Sequence, residues 1–381
     1  MSDSAPKRAS VFGNVYVGKK ILVTGHTGFK GAWLSEWLLL LGAQVTGFSI
    51  DCEDQSLFNQ LQLAARMSDR RGDVRDLRAF SDVIATIKPD FIFHLAAQPL
   101  VRHSYVDPVG TFTTNVIGSV NVMEAVRLAS LRCVLVMITT DKCYENREAH
   151  YAYCETDPLG GHDPYSASKA AAEIAIDSYR KSFFSDTATT RVALASARSG
   201  NVIGGGDWAQ DRLVPDSMRA LQRGETVPVR NKNATRPWQH VLDPLSGYLA
   251  LGAALWEIVD GKNGKRAAEV CSAFNFGADP KSNRAVHQVV DEILKHWPGK
   301  WIDKSEPNAP HEAGLLSLKI DKAARVLDWR PVWNFETAVA KTIVWYRDIH
   351  EKKDVDVQKL TRDQISEYTD YASALGLNWA K

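Results

Sequence analysis

The chain has 381 residues, more than a single core usually organises, which predicts two packed units. With 45% hydrophobic and 24% charged residues and a formal net charge of +1, the composition is that of a globular protein and nothing in it suggests a polyanionic partner. The densest apolar run, Ala32 to Gly42, is interrupted by Ser35 and Glu36 and falls short of the roughly 18 residues of a membrane span, so neither nucleic acid nor membrane is expected as a partner.

In chain order, Met1–Ser10 is polar, lacks the apolar core of a secretory signal and reads as frayed, with residues 1–18 taken as an N-terminal tail. An apolar strand, Ile21–Thr24, runs into Gly25-x-x-Gly28-x-x-Gly31 and then a helix, Ala32–Leu41. Between a strand and a helix this spacing has a mechanical meaning. Gly25 permits the tight turn, Gly28 lets a pyrophosphate approach the backbone, and Gly31 lets the helix pack on the strand. The turn predicts a bound dinucleotide, with Thr27 and Phe29 on its rim.

A second strand, Val45–Ile50, precedes Asp51, an acid at the right distance for the adenosine ribose. Glu53 and Asp54 follow, so Asp51 reads equally as a solvated loop acid. No arginine directly follows this strand to meet a 2′-phosphate, which favours NAD over NADP. A short third strand brings Asp73 and Val74, with Asp73 a candidate partner of the adenine amino group.

Helix Leu77–Ile87, strand Phe91–Ala96, helix Val109–Ala129, strand Val134–Thr139, helix Ser166–Phe183 and strand Val192–Ala197 continue the alternation. Such alternation predicts an α/β fold, a Rossmann-type doubly wound parallel sheet. The second half is less regular, with a loop-rich segment Gly200–Trp238 and amphipathic helices at Val286–His296 and Asp321–Leu327. It predicts a smaller, mixed C-terminal substrate domain. The division expected is 19–198 with 239–262 for the dinucleotide, and 199–238 with 263–381 for the substrate. No repeat or low-complexity linker is visible.

Two stretches carry chemistry. Tyr165-Ser-Ala-Ser-Lys169 places a phenol and an ammonium one turn apart on one helix face. The lysine is expected to lower the tyrosine pKa and make it a proton acceptor. Thr139-Thr140-Asp141-Lys142 follows the fifth strand, at the carboxyl end where open parallel sheets bind ligands. The five cysteines, Cys52, Cys133, Cys143, Cys154 and Cys271, lack paired metal-ligand spacing. They read as structural thiols of a cytoplasmic protein, with no metal site expected.

The glycine turn, "HLAAQP" (His94–Pro99), Asn115 in "NVIGS" and the Tyr-x-x-x-Lys pair resemble the extended short-chain dehydrogenase/reductases. Over nearly the whole chain, "TGHTGFKG", "TTDKCYEN", "DPYSASKAAAE", "RSGNVIGGGDWA", "RLVPD" and "RPWQHVLDPLSGYL" resemble the CDP-glucose 4,6-dehydratase branch of that family. The resemblance implies an NAD-dependent dehydration of CDP-glucose in three stages. Hydride leaves sugar carbon 4, water leaves across carbons 5 and 6, and hydride returns to carbon 6.

It implies Tyr165 as proton acceptor with Lys169 beside it, Thr140 as hydrogen-bond partner of the carbon-4 oxygen, and Asp141 as the buried, protonated acid for the departing hydroxyl. Lys142 occupies the place of a glutamate base in dTDP-glucose dehydratases. It acts either as base, if its pKa is strongly lowered, or as a cation beside an enolate. Leu95, Ala96, Ala97 and Asn115 are implied at the cofactor, and Gln98, Arg102, Ser199, Asn201, Arg212 and Arg236 at the substrate. Trp208 and Trp238 read as packing. A homodimer, extending to a dimer of dimers, is expected through helices Val109–Ala129 and Ser166–Phe183, with an apolar stripe of Val116, Val120, Met123 and Val126. The product leads towards deoxysugars such as the 3,6-dideoxyhexoses of lipopolysaccharide O-antigen.

Two other functions share parts of this pattern. A nucleotide-sugar 4-epimerase has the glycine turn and the Tyr/Lys pair but needs no acid at carbon 6. A non-catalytic dinucleotide sensor would have no use for the Tyr/Lys pair.

Overall fold

In a computed structural model, the described residues are 10–305 and 315–381. Seven parallel strands form one sheet: β1 (Lys20–Thr24), β2 (Gln44–Ser49), β3 (Ser68–Arg71), β4 (Phe91–His94), β5 (Cys133–Ile138), β6 (Val192–Ser199) and β7 (Ala273–Phe276). Their order across the sheet is β7-β6-β5-β4-β1-β2-β3. The winding reverses between β1 and β4, and in such a sheet that is where a crevice opens.

Apart from the polar, largely exposed edge strand β3, the strands are buried on both faces. Ile21, Phe91, Val134 and Ala193 face one core cluster; Leu22, Ile92, Leu135 and Val192 face the other. The first cluster is covered by α1 (Phe29–Leu40) and the second by α2 (Leu77–Ile87). The expected long helix Val109–Ala129 is interrupted. Val101–Val106 forms α3 and Pro108–Phe112 forms α4; one π-helical turn, Thr113–Ile117, then leads into α5 (Gly118–Ala129). The helix after β5 is α6 (Pro164–Ser182), capped by the Asp163 side chain on Ser166 N.

The second half departs from the expected division. β7 lies in the segment read as the substrate domain, yet it pairs with β6 as the edge of the main sheet. The expected loop Gly200–Trp238 contains a helix, α7 (Leu213–Gln222), and short strands. Val227–Val229 pairs with Trp301–Asp303, and Thr235–Pro237 with Asn283–Ala285. The apolar helix α8 (Leu242–Val259) crosses β5 and β6, and α9 (Val286–His296), α10 (Asp321–Leu327), α11 (Phe335–Glu351) and α12 (Val357–Ala374) complete the chain.

The N-terminal segment also departs from its reading as a tail. Phe12 stacks on Trp379 at 4.9 Å, and the buried Tyr16 hydroxyl donates to the Leu249 carbonyl at 2.5 Å. Residues 1–9 lie outside the described residues. No described helix is long and apolar enough to cross a membrane.

Candidate active site

A cavity of about 1100 Å³ runs from the β1–α1 turn, past the carboxyl ends of β4, β5 and β6, to the strand at Val227–Val229. Its first end is built by glycine. Gly25 has φ +71°, and a Cβ there would lie 2.8 Å from Ala96 N. A Cβ at Gly31 would lie 2.1 Å from the Gly25 carbonyl oxygen, so the helix can approach the strand only without one. At Gly28, the N-cap of α1, a Cβ meets one atom, Gly25 O at 3.4 Å; the backbone there is bare towards the cavity. A helix N-terminus opening on a cavity suits a pyrophosphate.

Thr27, Phe29, Asp51, Asp73, Val74, Leu95, Ala96 and Ala97 line this end of the cavity. Asp51 is exposed, whereas the Asp73 carboxylate accepts from Arg75 Nε at 2.8 Å. An arginine does reach the end of β2, from β3 rather than from the strand itself. Arg71 Nη1 donates to the Ile50 carbonyl at 3.1 Å, while its Nη2 is committed to Asp69 at 2.8 Å. Asp69 also holds the buried His26 at Nε2, 2.8 Å away, a part-buried pair that the sequence reading passed over.

Two residues implied at the ligands lie outside the cavity lining. Asn115 is wholly buried and does not line the cavity. Its amide accepts from Gln98 N at 2.8 Å and donates to Gln98 O at 3.1 Å and Ser168 Oγ at 2.9 Å. Gln98 does not line the cavity either; its side chain bonds Leu100 N and O and Thr111 Oγ1. Both residues brace the loop after β4 against α4 and α6 and leave Leu95–Ala97 to face the cavity.

At the centre, Thr140, Lys142, Tyr165 and Lys169 line the wall together. Tyr165 and Lys169 are almost buried, and the expected lowering of the tyrosine pKa is overturned. Burial outweighs every nearby charge and pushes the Tyr165 phenol up to about 12, against the hydrogen bond with Thr140 and the Arg212 charge. Burial pushes Lys169 down to about 8, opposed first by Glu173. Lys169 Nζ donates to the Ile138 carbonyl at 3.4 Å.

Asp141 is fully buried behind Gly200 and does not itself line the cavity. Its Oδ1 accepts from Thr140 Oγ1 at 2.9 Å and from Lys142 Nζ at 3.3 Å, and Oδ2 has no partner among the described residues. Lys142 Nζ also donates to Asn201 Oδ1 at 3.3 Å. Arg102, Ser199, Asn201, Arg212 and Arg236 line the far half, where Arg212 is held charged by Asp207 at 2.9 Å. Trp208 packs edge-on against Tyr346 at 5.1 Å and Trp238 is buried, and both also line the cavity.

Lys30 and Tyr248 were missed. Lys30 Nζ donates to Ser199 Oγ at 2.8 Å, and Ser199 Oγ meets Tyr248 OH at 2.8 Å. Burial, with help from Arg212, pushes Lys30 down to about 7. A lysine in the first turn of a helix opposes the helix dipole, which was the available signal. The cysteines are all free, and burial pushes the Cys133 and Cys143 thiols far above the usual range, as suits structural thiols.

The chain matches known proteins along most of its length. The profile of the GDP-mannose 4,6 dehydratase family matches residues 22–342. A CDP-glucose 4,6-dehydratase of Salmonella typhimurium is 41% identical over 360 residues, covering 93% of this chain and 97% of that protein. A UDP-glucose 4-epimerase of Mycolicibacterium smegmatis is 28% identical, covering 86% and 99%. Among solved structures, a dTDP-glucose 4,6-dehydratase of Bacillus anthracis in complex with NAD superposes with a TM-score of 0.70 at 21% identity, covering 88% of this chain and 98% of that one. This structural likeness establishes the fold. The dinucleotide turn, the Tyr/Lys wall and the matched length together place the chain in the GDP-mannose 4,6 dehydratase family, within the extended short-chain dehydrogenase/reductases.

Proposed function

We propose that the protein is a hydro-lyase that converts CDP-D-glucose to CDP-4-keto-6-deoxy-D-glucose with NAD as a retained cofactor. The observation that carries the reading is Thr140 and Lys142 beside Tyr165 and Lys169 on one cavity wall, with the buried Asp141 carboxyl behind them, held by Thr140 Oγ1 and Lys142 Nζ. An epimerase has no work for that acid. The likeness to the Salmonella dehydratase supports the cytidine substrate.

The residues at the glycine turn fit NAD. Bare backbone at Gly28 faces the cavity, Asp51 and Asp73 line it, and the arginine at the end of β2 is already paired with Asp69. When bound there, NAD accepts a hydride from sugar carbon 4 and later returns it to carbon 6. Tyr165 takes the proton of the carbon-4 hydroxyl as a phenolate, a form that burial disfavours and that the Thr140 hydrogen bond, the Lys169 ammonium and the positive charge of bound NAD would favour. The resulting ketone acidifies the carbon-5 proton. Asp141 Oδ2, the oxygen its neighbours leave unengaged, is the atom that hands a proton to the departing hydroxyl.

Lys142 sits between two acceptor oxygens, a setting that occupies an ammonium as donor, so its role is to balance charge on the carbon-5 enolate. Asn201, Arg212 and Arg236 face the substrate diphosphate, which the guanidinium fork suits. Residues 199–238 supply most of that half, with Val286 and Ser305 from later in the chain.

A homodimer suits the exposed apolar residues of α3–α6: Val106, Val109, Ile117 and Ile174 are 82%, 75%, 48% and 61% exposed. The stripe expected to make this contact lies elsewhere, since Met123 and Val126 are fully buried against the sheet and Val120 packs on the same core. A cytoplasmic setting suits the free thiols, and the 4-keto product is a precursor for deoxysugars such as those of O-antigen. Purified protein given CDP-glucose and NAD should release a 4-keto sugar nucleotide with no net NADH. Release of CDP-galactose instead would overturn the assignment.

A further inference from the structure

Glu173 lies one helical turn beyond Lys169 and two beyond Tyr165, so α6 turns all three to one face. Glu173 and Arg198 are 2% and 4% exposed and form an ion pair at 2.8 Å. Glu173 Oε1 accepts from Thr139 Oγ1, and Oε2 accepts from Ser196 Oγ at 2.8 Å as well as from Arg198 Nη2. Arg198 Nη1 donates to Tyr144 OH at 2.7 Å, and that hydroxyl donates to Asn275 Oδ1 at 2.8 Å. One buried network therefore ties α6 to the ends of β5 and β6 and to β7. A buried ion pair is a weak source of net stability compared with apolar residues of the same volume. Its placement beneath the reacting groups calls for another account.

We propose that Glu173 and Arg198 are the positioning pair of the hydride-transfer site. Glu173 anchors α6 to the strand ends that carry Thr140 and Ser199 and sets its carboxylate behind the Lys169 ammonium. The inference rests on the reading of Tyr165 and Lys169 given above. Arg198 keeps the carboxylate in place and charged.

The surroundings of Lys169 make the charge matter. On its own helix it faces Tyr165 and Glu173; Cys143 faces it from the turn after β5, Lys30 from α1 and His94 from β4, with Arg198 of β6 behind Glu173. From α5, Glu124 is engaged by Arg127 and Tyr179. From α3, Arg102 turns to Asp211 at 3.8 Å, and Asp107 caps α4. Glu173 is thus the main group opposing the desolvation of Lys169, which burial already brings down to about 8. Without that carboxylate less of the lysine is protonated at a given pH, and a Tyr165 phenolate loses part of its cation.

The test follows Lys169 directly. In the NAD-loaded protein with 15N-labelled lysine side chains, the Lys169 ammonium signal is assigned by its loss in Lys169→Met. Glu173→Gln keeps the shape and should move the Lys169 titration midpoint down by about one pH unit, a tenfold change in protonation. Glu173→Asp, which keeps the charge, should restore most of it. The double variant Glu173→Gln/Arg198→Met leaves no unpaired buried charge and should also lower the midpoint. An unmoved midpoint in a folded Glu173→Gln or double variant overturns the proposal. Single-turnover NADH formation against pH separates the underlying reading. If the Lys169 midpoint moves and the alkaline limb of the rate profile stays, the pair stands and the Tyr165–Lys169 role in hydride transfer falls. A uniform rate loss at every pH with an unmoved midpoint marks a merely structural role and overturns the proposal.

Discussion

Thr24 Oγ1 and His94 Nδ1 lie 2.8 Å apart, joining the ends of β1 and β4 where the winding of the sheet reverses. Thr24 Oγ1 also accepts from Leu95 N at 3.1 Å and Ala96 N at 3.2 Å. Its own proton therefore goes to His94 Nδ1, and the imidazole donates from Nε2 to Ser119 Oγ at 3.2 Å. Burial pushes His94 down to about 3, so the ring stays neutral. This pair ties the two strand ends together beside the crevice. Thr24→Val removes the acceptor of Ala96 N and the donor to His94. It should cost about 1–3 kcal/mol, the penalty of a buried polar group left unmade. Thr24→Ser should retain most of the stability, and equal urea midpoints for the two variants would refute this account.

The glycines at 28 and 31 separate binding from folding. Gly31→Ala places a Cβ 2.1 Å from the Gly25 carbonyl oxygen and should destabilise the protein in thermal unfolding. Gly28→Ala has space, with Gly25 O at 3.4 Å its one near neighbour. That variant should melt near the wild-type temperature yet bind NAD more weakly in a titration. A Gly28→Ala enzyme with unchanged NAD affinity would remove the pyrophosphate from this turn.

Lys30 should leave a signature in stability against pH. Burial lowers its pKa from 10.5 to about 7, so between these values the unfolded chain holds a proton that the folded protein has released. Stability from this group therefore rises with pH across that window and is lost as pH falls towards 7. Lys30→Met should flatten the slope of urea stability between about pH 7 and pH 8 relative to wild type, a range below the midpoints of cysteine and tyrosine ionisation in the unfolded chain. An identical slope in the two proteins would contradict the desolvated lysine.

The dimer face can be tested at its most exposed apolar positions. Val106→Asp with Ile174→Asp changes residues that are 82% and 61% exposed in the single chain, so the monomer fold should survive. Light scattering should then report a monomer mass where the wild type gives twice that value. A wild-type protein that is monomeric at micromolar concentration would discard the interface.

The strands of the first half were legible because both faces of a parallel sheet are buried, and their apolar runs need no partner to be recognised. The edge strand Ala273–Phe276 was not, since four residues in an irregular region carry no period that distinguishes a strand from a loop. Asn115 and Gln98 read as ligand contacts because a motif marks a place and not a direction; only the coordinates turn their amides into the loop. The Tyr165 pKa was misjudged for a related reason. The Lys169 charge is visible from spacing, while the larger desolvation comes from residues distant in sequence. Lys30 escaped because its partner Ser199 is 169 positions away.

The two halves of the reaction should separate by mutation. Tyr165→Phe removes the proton acceptor of the first stage, so bound NAD should stay oxidised when CDP-glucose is added. Asp141→Asn keeps Tyr165, Lys169 and Thr140, so that stage should remain possible. It removes the proton for the departing hydroxyl, at a loss of roughly 10²–10⁴ in rate. Hydride leaves carbon 4 before water leaves carbon 6, so NADH absorbance should accumulate with substrate in Asp141→Asn and not in Tyr165→Phe. Lys142→Ala tests the remaining residue on the same scale. If its ammonium balances only the enolate, NADH should again accumulate and exchange of the carbon-5 proton with solvent should slow. Wild-type turnover in Asp141→Asn, or normal NAD reduction in Tyr165→Phe, would reject these roles while leaving the fold and the cofactor turn untouched.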